Sequence, residues 1–272
     1  MRFLNGLELA YCTNVHRGNT WEETFDSLER YVLSVREKVG SGERFAIGLR
    51  LGADAARELS TPEQILRFQK WLEAKDCYVF TINGFPYGNF HGQRVKEEVY
   101  RPDWATEERL TYTVLLFEIL EKLLQPGEEG SVSTLPGSFK EFIKDESQEQ
   151  AIRDNLWKCV EHIAALSDST GKTLHLGLEP EPLCWIETSA ETVAFFEQME
   201  KEHPNDPRLR RHLGVNYDTC HLAVQFERAA DALGSLVEEG IRISKLHFSS
   251  ALKVRLGAEA FDGLAGFAED IY

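Results

Sequence analysis

The sequence predicts an α/β fold: a parallel barrel of the (β/α)8 TIM type that lacks its eighth strand within these 272 residues. Three observations predict it. Apolar, strand-like runs alternate with helical patterns along the whole chain, and no Pro- or Ser-rich linker divides them, so residues 1–272 read as one domain. Three successive strand-like runs, Leu174–Glu179, His212–Tyr217 and Ile243–His247, end in or next to metal-binding residue types. No GxGxxG follows the first run, which leaves a dinucleotide-binding open sheet without its fingerprint.

The elements follow in order. An apolar strand is expected from Leu7 to Thr13. Thr20-x-x-Glu23 is a capping box, and Phe25, Leu28, Tyr31, Val32 and Val35 repeat at helical spacing up to a stop at Gly40. Phe45–Leu51 reads as the second strand. Thr61-Pro62 opens a helix whose core face is Ile65, Phe68 and Leu72, with proline at the first helical position. Cys77–Asn83 is the third strand. A long loop runs from there to about Pro102; its glycines and aromatics, among them Phe85, Tyr87 and Phe90, mark it as functional.

A helix is expected over roughly Thr106 to Leu124, then a weaker fourth strand over Ser131–Leu135. Ser147-x-x-Gln150 is expected to cap a helix running to about Ser167. Strand five ends at Glu179, and Thr188-x-x-Glu191 caps the following helix. Strand six ends at Asp218 and strand seven near Phe248. An amphipathic segment spans Ala258 to Ala268, and Asp270–Tyr272 resembles the opening of an eighth strand. An open barrel leaves two exposed edges, so the sequence is expected to be part of a longer protein or to have the gap filled otherwise.

The net charge of −15 argues against a nucleic-acid partner, because such affinity rests on Lys and Arg neutralising phosphates. Five widely spaced cysteines without a CxxC pair fit a reducing compartment. No apolar leader or run of membrane-spanning length occurs, so a cytoplasmic protein without membrane insertion is expected.

Asp218-Thr219-Cys220-His221 carries the most chemistry. A carboxylate and an imidazole three positions apart, where a buried strand opens into a loop, suit a divalent metal such as Mn²⁺, Mg²⁺ or Zn²⁺. With Glu179 and His247 they form the expected metal set: Glu179, Asp218, His221 and His247. Alternation along a strand turns Asn216 and Gly214 the same way as Asp218, and Gly177 and His175 the same way as Glu179. Cys220 is expected to be buried and inert.

These residues resemble the xylose isomerase-like TIM barrels, the superfamily of sugar isomerases, sugar epimerases and endonuclease IV-type repair enzymes. Asp218–His221 is similar to that superfamily's sixth-strand motif with two metal ligands. Glu179 falls where it carries a bridging glutamate, and His247 where it carries a strand-seven histidine. Within the superfamily, Tyr11–His16, Asn83–His91 and Leu178–Pro182 resemble the EboE-type metabolite traffic proteins. Two features depart from the epimerase pattern: the strand-eight glutamate lies beyond this sequence, and Trp185 stands where a second strand-five carboxylate is usual.

The resemblance implies a metal-dependent isomerase or epimerase acting on a sugar or sugar-like metabolite through a metal-stabilised enediolate. His221 is the expected further ligand or proton donor, and Glu181 or Lys245 the base. His16, Asn83, His91 and Trp185, on the same rim, are expected to touch the substrate. Lys245, inward by parity with His247, has an acid pair as its alternative, and Arg50 a rim ion pair. Two other functions compete: a non-catalytic metabolite-binding or traffic role, and an endonuclease IV-like zinc phosphodiesterase, which the acidic balance disfavours.

Overall fold

The computed structural model describes residues 6–39, 42–88, 96–255 and 257–266. Seven parallel strands form one sheet in sequence order: β1 (Ala10–Cys12), β2 (Phe45–Arg50), β3 (Cys77–Asn83), β4 (Glu129–Thr134), β5 (Thr173–Leu178), β6 (Leu213–Asp218) and β7 (Arg242–His247). β2, β5 and β6 are almost continuously buried, as expected of parallel strands covered on both faces, while β1 and β7 are only half-buried. The sheet curls strongly, since Lys245 on β7 reaches Asn83 on β3 and His247 approaches Cys12 on β1 at 4.0 Å. This is an α/β TIM-type barrel missing one strand, with β1 and β7 as its edges among the described residues. The eighth strand expected at Asp270–Tyr272 and the helix stop at Gly40 lie outside the described residues.

The outer layer begins with α1 (Trp21–Ser27), which continues through a π-helical turn (Leu28–Val32) into α2 (Leu33–Val39). Its capping box forms as expected: Thr20 Oγ1 accepts from the Glu23 N–H, and the Glu23 carboxylate accepts from the Thr20 N–H. Then come α3 (Ala53–Leu59) and α4 (Pro62–Ala74). Trp21, Phe25, Phe68 and Trp71 interlock edge-to-face and stacked beneath them. Further helices are α5 (Glu107–Leu123), α6 (Glu146–Thr170), α7 (Ser189–Glu202), the short α8 (Pro207–His212) and α9 (Thr219–Val224), α10 (Ala229–Glu238) and α11 (Ala258–Ala265).

Several boundaries differ from the sequence reading. The first strand stops at Cys12, because Thr13 turns to bond β2: its Oγ1 donates to the Gly48 carbonyl and accepts from the Arg50 N–H. α3 is an addition whose buried residues, mainly alanines, give little periodic signal. α6 is capped by Asp145, whose Oδ1 accepts from the N–H groups of Ser147 and Gln148, rather than by Ser147. It also runs on to Gly171, which supplies the left-handed end at φ 69°.

Buried arginines fix the loops at the carboxyl ends of the strands. Arg109, fully buried, donates to the carbonyls of Gly84 and Pro102. Arg50 donates to those of Gly18, Pro86 and Gly88, so it clamps loops from beneath instead of sitting on the rim. Among the described residues, no helix is long and apolar enough to cross a membrane.

Two buried histidines set an acid limit on stability. His175 and His212 are almost fully enclosed, and burial holds both below the ordinary histidine value of 6.5. For His175 this outweighs the upward pull of Glu129. The unfolded chain takes up a proton at each below about pH 6.5, while the folded chain resists it, so stability falls as pH drops through that window. Urea midpoints should therefore decline between pH 6.5 and 5, and less steeply for His212→Asn than for the parent.

Candidate metal centre at the carboxyl ends of the strands

β5, β6 and β7 deliver three ligand groups to one place. β6 and β7 pair with Asp218 opposite His247 and Asn216 opposite Lys245, so two layers of functional residues stack along the barrel interior. Glu179 follows β5 directly, and its N–H bonds the Thr134 carbonyl of the neighbouring β4. One ligand atom each from Glu179, Asp218 and His247 lie within 4.8 Å of one another. His247 Nδ1 is 3.3 Å from Glu179 Oε1 and 3.6 Å from Asp218 Oδ2.

The two oxygens of Asp218 have separate tasks. Oδ1 caps α9, accepting from the N–H groups of Cys220 and His221 and from the Ser249 hydroxyl. Oδ2 faces His247. Asn216, fully buried, donates through Nδ2 to Glu179 Oε2 at 2.5 Å and so orients that carboxylate. Its own Oδ1 is buried and has no hydrogen-bond partner among the described residues.

The electrostatics follow from these contacts. Burial alone would raise Glu179, but His247 and His221 hold it below the usual carboxylate range. Burial also opposes ionisation of Asp218, which His221, Ser249 and the two capping N–H groups bring down. Burial would lower His247, yet its contacts with Cys12 and Glu179 push it up to about 9. Two carboxylates therefore stay ionised against an imidazolium, and a divalent cation satisfies the same charge pattern.

His221 stands beside this trio. Its Nδ1 lies 3.2 Å from the Pro180 carbonyl and 3.8 Å from Glu179 Oε1. It shares a second potential ligand group with Asp218 and Cys220, so the four expected ligands divide into two overlapping sets. Cys220 is half-buried rather than buried, and burial raises its thiol.

Below the trio lies a polar floor. Asn83 Oδ1 accepts from Lys245 Nζ and from Ser133 Oγ, while Asn83 Nδ2 donates to Asn14 Oδ1 and Cys12 Sγ. Lys245 also donates to Ser133 Oγ at 3.4 Å, and burial lowers its pKa. The expected acid partner of Lys245 is thus replaced by two neutral groups. Cys12, Ser133 and Ser249 escape the sequence reading. Parity with Asp218 marks Asn216 as expected, but nothing local marks these three, which join through segments far apart in the chain.

Other expected site residues make contacts of their own. The Glu181 carboxylate accepts from the Tyr100 hydroxyl at 3.0 Å and does not join the trio. The Trp185 ring lies over Gly137 and packs edge-on against Phe195. His16 meets the Tyr11 hydroxyl at 3.1 Å and stacks on Tyr31. His91 lies outside the described residues.

Solved structures share this architecture. They include an L-ribulose 3-epimerase (TM-score 0.52, 14% identity, 94% of this chain and 86% of that one). A D-tagatose 3-epimerase-like protein matches at TM-score 0.51 and 17% identity, covering 82% of this chain and 73% of that one. The IOLI protein with a binding zinc atom matches at TM-score 0.51 and 14% identity, covering 86% and 70%. No family model and no curated protein matches the sequence. The fold these structures share with this chain is the α/β TIM-type barrel.

Proposed function

We propose that this chain is a divalent metal-dependent isomerase or epimerase of a sugar or sugar-like metabolite. The convergence of Glu179, Asp218 and His247 within 4.8 Å carries this reading, and fold neighbours that include an L-ribulose 3-epimerase support it. Two carboxylates and one imidazole, with Asn216 ordering Glu179 from behind, make a hard-to-borderline donor set that fits Mn²⁺, Mg²⁺ or Zn²⁺. When bound, the ion supplies a Lewis acid next to a carbonyl and its neighbouring hydroxyl.

The chain's own residues handle the proton. His221 Nδ1 faces the Pro180 carbonyl, which only accepts, so Nδ1 donates there and Nε2 is the nitrogen left to meet a substrate proton. His221 is therefore the favoured base for the proton α to the carbonyl, acting through Nε2. Glu181, engaged by Tyr100, holds the loop after β5. Asn83 and Lys245 line the floor under the reacting carbons.

The test is exchange of substrate C–H for deuterium in D₂O with Mn²⁺-loaded protein and a panel of ketoses, followed by NMR. Exchange at the carbon next to the carbonyl is expected, and should fall at least about 100-fold in His221→Ala. Tight sugar binding without exchange would favour a metabolite-binding role of the EboE type. The net charge of −15 weighs against the phosphodiesterase alternative.

A further inference from the structure

We infer that the substrate carries a carboxylate and that Lys245 is the residue that selects it; this rests on the proposed sugar-metabolite reading and names its class as sugar acids. The observation is a mismatch of charge. Lys245 is the one cationic side chain in the floor network, and its Nζ donates to Asn83 Oδ1 and Ser133 Oγ, both neutral. Among the described residues, no carboxylate comes within ion-pair distance of it.

The rest of the floor is uncharged by residue type: Asn14, Asn83, Ser133 and Asn216, with the Cys12 thiol at its edge. The two nearest acids, Glu179 and Asp218, are committed to His247 and its neighbours one layer above. In the pairing of β6 with β7, Lys245 sits two residues below His247, about 7 Å along the strand. With a divalent ion balancing the two carboxylates, Lys245 stands as the positive charge of the floor. A half-buried ammonium whose hydrogen-bond partners are both neutral favours an anionic guest. A substrate oriented by the upper layer extends two or three carbons to reach it, the span of a short hydroxy or keto acid.

The geometry gives Lys245 a specificity role that metal loading alone does not supply. Calorimetric titration of the Mn²⁺-loaded protein with L-threonate and with L-threitol separates the two, since these share carbon number and differ in the carboxylate. Threonate is expected to bind at least about tenfold more tightly. Chelation of the ion by the carboxylate is common to parent and variant, so the Lys245→Met comparison isolates the lysine. That variant should lose about tenfold for threonate, change little for threitol and keep its Mn²⁺ content, and Lys245→Arg should restore part of the loss. Equal affinity of the parent for the two ligands would overturn the inference, as would unchanged threonate binding in Lys245→Met or a stronger preference for erythrose 4-phosphate. Failure of the isomerase reading shows separately, as absence of C–H exchange with carboxylate preference intact.

Discussion

Replacing Glu179 by alanine is expected to weaken divalent-ion binding at least about 100-fold, the larger end of what loss of even a supporting group does at such centres. The reason is geometric. Glu179 Oε1 is the oxygen nearest His247 Nδ1, and Asn216 holds Oε2 on the other side. Alanine removes one of three converging donors and leaves the Asn216 amide without its acceptor. Glu181→Ala is the matched control: two residues away, its carboxylate serves Tyr100, so ion affinity should stay within about threefold of the parent. Equilibrium dialysis with elemental analysis reads both variants, and circular dichroism verifies that each is folded. Equal loss in the two would show that the loop after β5, not the Glu179 carboxylate, sets affinity.

Gly214→Ala is expected to be among the most damaging single-methyl changes in the barrel. A Cβ at Gly214 would lie 2.4 Å from the Arg242 carbonyl oxygen and 2.6 Å from Ser244 Oγ. The first is backbone of β7 and cannot swing aside, so β7 must move. Overpacking of this kind costs about 1–3 kcal/mol, and here the moving strand carries both Lys245 and His247. Lowered urea midpoint and weakened ion affinity should therefore appear together. Gly177→Ala, whose Cβ would stand 3.1 Å from the Asn216 nitrogen, should show the same pair of effects more mildly. Gly48→Ala meets only ordinary contacts from 3.5 Å outward and should be close to neutral in both. A fall in stability with intact ion binding in Gly214→Ala would detach the centre from the position of β7.

The strands were legible because burial on both faces makes parallel strands nearly continuous apolar runs. Cys77–Asn83 is found at its expected bounds, and Asp218 and His247 end β6 and β7 as anticipated. The capping boxes at Thr20 and Thr188 were legible because each depends on four adjacent residues. Features that depend on distant partners were not. Cys12 reaches the centre only because the sheet curls β1 towards β7. The pairing of Lys245 with Asn83 and Ser133 depends on register across three strands and on a bulge between Val215 and Asn216. α3 hid behind alanines, and the hydrogen bond from the Tyr100 hydroxyl to the Glu181 carboxylate joins loops distant in the chain.

Anomalous diffraction from crystals soaked in Mn²⁺ tests the metal centre most directly. The expected result is a peak bounded by Glu179, Asp218 Oδ2 and His247, with oxygen and nitrogen ligands at about 2.0–2.3 Å. No peak there, or a peak held only by Asp218, Cys220 and His221, would contradict it.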